Sequence, residues 1–247
     1  MVKVFFHQIF FLPLYNALVF LSALLPGHDI GLAIVALTVA VKFLLLPLQW
    51  QMLRTQAKMK ALEPLIKELK AKHQDDKAEQ ARQLMNLYRE HRVNPLGGLT
   101  IFIQLPIIIA LYAVFQSGFN FDPTALYSFV VAPPAVDMLF FGIFDLTAKS
   151  YILALLAGLT QMIQAQLMMP PPPSPNPAKT ERSFQEDLAR SMNIQVRYVL
   201  PVLVVFFSLS LPSAVAVYWI TSNLFTIVAE SLFRRFKTPA LNQATTK

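Results

Sequence analysis

The stretch Ile30–Leu48 is almost wholly aliphatic and carries a single charge, Lys42. A run this long and apolar has one stable destination, a helix across a bilayer, because lipid offers backbone polar groups no partners outside the helix. A lysine well inside such a helix costs roughly 2.5–3.5 kcal/mol on insertion scales. Lys42 must therefore reach protein, water or the membrane surface. Two arrangements satisfy that demand. About six residues from the span's end, roughly 9 Å along a helix, it can snorkel to the headgroups, or it can line a wet cavity within the bilayer.

Composition fits a chain built from several such runs. Of 247 residues, 55% are apolar and 14% charged, against about 25% charged in soluble domains. The fold expected is an all-α integral membrane protein. With no cysteine in this sequence, structural disulfides, thiolate metal sites and a lipid-modified N-terminal cysteine are not expected. His7, His28, His73 and His91 never pair at ligand spacing, so neither a metal site nor a cofactor is expected.

Apolar windows set the organisation. Residues 1–28 read as an N-terminal helix, interfacial or spanning, with Lys3 ahead of an apolar stretch that Pro13, Tyr15 and Asn16 interrupt. Residues 29–48 form the first span, 49–97 a cytoplasmic helical hairpin, 98–118 the second span and 119–148 an external loop. Residues 149–169 form the third span, 170–197 a cytoplasmic loop, 198–229 the fourth and fifth spans, and 230–247 a basic tail. Leu211-Pro212-Ser213 leaves room only for a tight turn between the last two spans. Those spans are short, about 14 and 17 residues against the usual twenty or so, which calls for a thinned bilayer or helices that sit low in it.

Basic residues set the orientation. Segment 49–97 holds ten Lys and Arg, 170–197 four and 230–247 four, whereas 118–148 holds none, its acids being Asp122, Asp137 and Asp145. The positive-inside rule then places the first three segments, and the C-terminus, in the cytoplasm. The expected location is a membrane that the chain crosses several times, with these segments on its cytoplasmic side.

The hairpin is free of glycine over 50–92 and has apolar residues at helical spacing. Leu62, Leu65, Ile66 and Leu69 mark one arm; Ala81, Leu84, Met85 and Tyr88 mark the other. His73-Gln-Asp-Asp76 supplies the turn and an N-cap, and Pro64 is expected to bend the first arm. Arg54, Lys58, Lys67 and Lys70, with Arg234, Arg235 and Lys237 of the tail, form either a solvated positive-inside surface or a docking surface for a ribosome, targeting factor or anionic lipid. Met168-Met169 and the proline-rich 170–177 read as an extended exit from a helix with no site of its own.

Polar side chains recur on single faces of the spans. Thr38 and Lys42 share a stripe with Gln49; Thr100 and Gln104 stack in the second span; Thr160, Gln161 and Gln164 lie in the third. Tyr218, Ser222 and Thr226 step by four in the last, with Thr221 and Asn223 beside them. Each could be interhelical glue worth about 0.6 kcal/mol per pair. As a set they describe a hydrophilic groove around Lys42, since no carboxylate falls mid-span to meet its charge.

Asn94-Pro-Leu-Gly-Gly98, Ile103-Gln-Leu-Pro-Ile107 and Ala110-Leu-Tyr112 resemble the YidC/Oxa/Alb family of membrane protein insertases. So do Pro13-Leu-Tyr-Asn16, Leu37-Thr38 through Lys42 to Leu46-Pro-Leu48, and Pro212-Ser213 through Tyr218-Trp-Ile-Thr-Ser-Asn-Leu224. The hairpin around Asp75-Asp76-Lys77 falls where the family places its own. The resemblance implies a five-helix core with a hydrophilic groove open to cytoplasm and lipid, preceded by an outer interfacial helix. This chain has Lys42 where bacterial members usually have arginine, keeping the charge without the planar fork. Leu99-Thr100 stands where the family often has cysteine and proline. The large periplasmic domain of some relatives and the extended basic tail of others are expected to be absent.

The function expected is insertion and folding of nascent membrane proteins, with Lys42 attracting acidic cargo. Thr38, Gln104, Thr160, Gln164, Tyr218, Thr221, Ser222 and Asn223 would line the groove. The partners would be nascent membrane proteins, the ribosome, lipids and a Sec translocon or targeting receptor, with no DNA. A small-solute secondary transporter is the alternative, weakened by the lack of a mid-span acid or an inverted repeat. Catalysis is not expected, because no serine–histidine, paired-aspartate or metal-binding set falls within the spans.

Overall fold

The structure is a computed structural model that describes residues 2–73, 76–93, 101–116, 121–168, 191 and 193–244. The hairpin tip at 74–75, the Asn94–Gly98 motif with Leu99-Thr100 and the proline-rich 170–177 lie outside the described residues. The chain opens with α1 (Val2–Phe6), a π-helical turn (His7–Phe11) and α2 (Leu12–Leu24). There follow α3 (Ile30–Lys72), α4 (Lys77–Glu90) and α5 (Ile101–Gln116). A two-stranded hairpin, β1 (Leu139–Phe140) and β2 (Phe144–Asp145), precedes α6 (Tyr151–Met168). The chain ends in α7 (Leu200–Ser210), entered through π-helical Gln195–Val199, and α8 (Ser213–Ala244).

The chain is a membrane protein, and among the described residues the fold is helical apart from one short hairpin. Among the described residues, Val4–Leu24, Ile30–Leu69 and Ser213–Arg235 are long and apolar enough to cross a bilayer; Pro106–Phe115, Tyr151–Leu167 and Gln195–Ser210 are shorter apolar helices. The last of the three long segments runs beyond the expected 17 residues, because the helix continues through Glu230 and Arg234 without a break. Its length therefore demands no thinned bilayer. Gln195–Ser210 stays short, at about 24 Å of helical rise.

Helix α3 is continuous from the first span into the first arm of the hairpin, carrying Pro47 and Pro64 inside it. Asp29 starts it by accepting from the amides of Gly31 (2.7 Å) and Leu32 (3.0 Å), which satisfies two of its orphan donors. Asp76 caps α4 in the same way, through Ala78 and Glu79. Across the hairpin Leu62 is buried, while Leu65 and Met85 stay exposed.

Helix α8 packs against both α3 and α6, and α6 also packs on α7. Helices α6 and α7 come close at Gly158, where any side chain would run into Val205 and the Pro201 carbonyl. Tyr15, Leu18, Ile34, Leu111, Val114, Leu153 and Val217 belong to one buried cluster spanning α2, α3, α5, α6 and α8.

The loop 121–148 is tied down at the end of the bundle where α3, α6 and α8 begin. The Asp122 amide donates to the Tyr15 hydroxyl (2.7 Å). The Asn16 side chain donates to Ala125 O (3.0 Å) and accepts from the Tyr127 amide (2.6 Å). Ser213 Oγ donates to Asp145 O (2.6 Å), and the Ser213 amide to Ala148 O. Tyr15-Asn16 and Ser213, parts of the resemblance, are thus the fastenings of this loop.

Candidate functional site

Lys42 sits on α3 about 18 Å of helical rise beyond Ile30 and about 9 Å short of Leu48. Its Nζ donates to Thr226 Oγ1 of α8 at 3.4 Å. The side chain lines a cavity of about 10 Å³ walled by Leu37, Thr38, Val41, Leu45, Ile107, Leu111 and Tyr218. That volume holds about one water. The ammonium therefore points into the bundle between α3, α5 and α8, at a recess whose described wall is mostly apolar.

Thr226 serves two partners at once: its hydroxyl donates to Ser222 O (2.9 Å) while accepting from Lys42. Hydroxyls elsewhere satisfy themselves in the same way, Thr38 on Ile34 O and Thr221 on Val217 O, as expected of Ser and Thr in a helix surrounded by lipid. Tyr218 is buried and hydrogen-bonds Ser222 one turn on. Thr38, Lys42, Tyr218, Ser222 and Thr226 thus gather along the α3–α8 seam.

Other candidates lie elsewhere. Asn223 Nδ2 donates to Thr160 Oγ1 at 3.2 Å and to Ala157 O at 3.5 Å. This pair faces the α6–α8 contact and joins the two helices. Gln164, one turn past Thr160, is partly buried, and Thr221 is partly buried on α8. Gln104 belongs to α5, its side chain outside the described residues.

Of the candidate docking cations, Arg54, Lys58 and Arg235 are exposed. Lys67 is exposed and pairs with Glu63 at 2.9 Å. The side chains of Lys70 and Lys237 lie outside the described residues. Arg234 has partners within the bundle. Its Nε donates to Glu230 Oε1 at 3.0 Å, and Nη2 donates both to the same oxygen and to the Leu167 carbonyl. Arg197 reaches the neighbouring Gln166 carbonyl at 3.5 Å. Two arginines therefore serve the last turn of α6, where helix carbonyls have no intrahelical donors.

Glu230 is the residue that reading by charge overlooks. Counted with the basic tail, it is in fact 2% exposed, on the same helix as the groove stripe. The step of four that links Tyr218, Ser222 and Thr226 continues to Glu230 and Arg234, and was the available signal. Among the described residues no group of His, Cys, Asp or Glu is placed to hold a metal ion.

Comparison with known proteins agrees with this architecture. The family model for the 60Kd inner membrane protein matches residues 20–240. The membrane protein insertase YidC of Actinobacillus pleuropneumoniae serotype 3 is 34% identical over 226 residues, covering 90% of this chain and 36% of that protein. The YidC of Haemophilus influenzae strain Rd is 33% identical over 227 residues, with the same coverage. That of Nitratidesulfovibrio vulgaris is 31% identical over 221 residues, 88% of this chain and 36% of the relative. The chain thus spans little more than a third of the length of these relatives. A family match over nearly the whole chain, on a helical membrane bundle with Lys42 turned inward, bears out the resemblance: the chain belongs to the family of the 60Kd inner membrane protein, the YidC/Oxa family of inner-membrane proteins.

Proposed function

We propose that this protein is a membrane protein insertase and chaperone for nascent membrane proteins. The observation that carries the reading is the position of Lys42: a cation some 18 Å into the span, turned toward Thr226 and a water-sized recess rather than the membrane surface. An inward cation in a lipid-embedded bundle is a functional feature by default, because its cost must be recovered. The recess that holds Lys42, Thr38 and Tyr218 is the closed end of the path that cargo takes. An acidic segment of cargo is drawn toward Lys42, and apolar cargo leaves sideways into lipid, gaining about 25 cal/mol for each Å² removed from water.

The basic hairpin, the 170–197 loop and the tail lie in the cytoplasm, following the Lys and Arg distribution. Residues 4–25 lie along the opposite surface as an interfacial helix. Arg54, Lys58, Lys67 and Arg235, all exposed, offer the docking surface for the ribosome, a targeting receptor or anionic headgroups. No covalent chemistry and no cofactor enter the cycle.

Photo-crosslinkers placed at Val41, Leu111 and Ser222 test this in vesicles supplied with ribosome-bound nascent membrane proteins. The expected result is adducts from all three sites and none from a probe at Thr124 of the 121–148 loop. Adducts confined to Thr124, or small-solute uptake without any nascent chain, would contradict it.

A further inference from the structure

The hairpin at 139–145 is an unusual element for a loop that contains no lysine or arginine over 118–148. Its two central turn residues both have left-handed backbone, Phe141 at φ 54° and Gly142 at φ 69°. Turns of this kind normally use Asn or Asp before glycine, and a bulky residue at positive φ is an outlier. Here the strained position carries a phenylalanine that is 65% exposed, followed by Ile143 at 73%. Phe141 touches its neighbour Phe140, but most of its surface faces away from the protein.

The tip is fixed in height. The Ile30 amide donates to Asp137 O and the Asp137 amide to His28 O, both at 3.0 Å. The Phe141 amide donates to Asp29 Oδ2 at 3.3 Å. The Phe140 ring lies directly over Gly31, where a Cβ would collide with it. These bonds hold the tip beside the first residues of α3. Those residues open an apolar span, so they mark the boundary of the hydrocarbon. At the same end Tyr151, the first residue of α6, is 75% exposed, as befits an aromatic at a membrane–water boundary.

We infer that the Phe141–Ile143 tip is a lipid-contact surface, seated in the interfacial layer of the leaflet in which α3, α6 and α8 begin. Apolar side chains held at that depth partition into the acyl–headgroup boundary, and without basic residues the recognition is apolar rather than electrostatic. The strained turn presents the phenylalanine to lipid while Asp29 fixes the hairpin to the helix start. The tip anchors this end of the bundle against tilting. The inference stands on the membrane location of α3 and is independent of the insertion reading.

The chain has no cysteine, so Phe141→Cys, Ile143→Cys and Thr147→Cys each give one labelling site in this chain. Each variant is spin-labelled and reconstituted in phosphatidylethanolamine–phosphatidylglycerol vesicles, and its collision rates with oxygen and with a water-soluble nickel chelate are measured. Labels at 141 and 143 are expected to show a higher oxygen-to-nickel ratio than the label at exposed Thr147, whose hydroxyl donates to Asp145. Ratios equal to that at 147 would place the tip in water and overturn the inference. Low collision rates with both reagents would mean that protein, whether a second copy or another partner, covers the tip, and would overturn it equally.

Discussion

Replacing Arg234 with alanine should cost more stability than replacing Arg234 and Glu230 together. Glu230 is buried and receives two donors from Arg234, while its other oxygen, Oε2, has no hydrogen-bond partner among the described residues. Removing one member of a buried ion pair costs about 3–5 kcal/mol, because the remaining charge is stranded. The Arg234 side chain is 55% exposed, so water reaches that side of the pair and the cost falls toward the 0–1 kcal/mol of surface pairs; about 2 kcal/mol is a fair middle value. Loss of the Leu167 carbonyl's donor adds about 1 kcal/mol. Arg234→Ala should therefore destabilise by about 3 kcal/mol, whereas Glu230→Gln/Arg234→Ala, with no carboxylate to strand, should cost about 1. The difference of about 2 kcal/mol is roughly a 30-fold change in the unfolding equilibrium. Sodium dodecyl sulfate titration of the purified variants in mixed micelles, followed by circular dichroism, reads it. If the double variant is as unstable as the single one or more so, the buried-charge reasoning is wrong.

Two further outcomes follow from the loop. Asn16→Ala strips the Tyr127 amide of its acceptor and Ala125 O of its donor; it should cost about 2–3 kcal/mol and open 121–127 to limited proteolysis, and unchanged protease resistance would refute the fastening role. Asp122 and Asp145 are both held below the usual carboxylate value, first by the side-chain hydroxyls of Thr124 and Thr147 and then by those residues' amides. A depressed folded-state value means that these turns keep their full stabilisation above the ordinary value of 3.8 and lose it only as pH falls through the lower, folded value. The Thr124 and Thr147 amide resonances should therefore titrate with midpoints below 3.8; midpoints at or above it would contradict the turn geometry.

The sequence made Lys42 conspicuous because nothing else in 30–48 is charged, and the steps of four in the last span put Tyr218, Ser222 and Thr226 on one face. What it could not carry is the rotation of each helix about its axis, which tertiary packing decides. Thr226 therefore turns to Lys42, while Asn223, three positions earlier, turns to Thr160 and joins α6 to α8. Charge counting also misled at Glu230: a carboxylate near a basic tail reads as solvated until the helix carrying it is seen to continue into the bundle. The 139–145 hairpin left no signal, because Phe141-Gly142 lacks the Asn or Asp that marks such turns. Asp76, by contrast, was legible as a cap, since capping needs only a short acceptor ahead of a helix.

Reciprocal charge exchange at Lys42 tests the central claim most directly. Insertion of cargo bearing an aspartate in its translocated end is measured in reconstituted vesicles with wild-type, Lys42→Arg, Lys42→Ala and Lys42→Glu proteins, and again with lysine replacing that aspartate. The account predicts that Lys42→Arg keeps insertion of acidic cargo, Lys42→Ala weakens it, and Lys42→Glu reverses the preference toward the lysine-bearing cargo. Equal insertion of both cargoes by all four proteins would show that the inward charge at Lys42 plays no part in drawing cargo into the membrane.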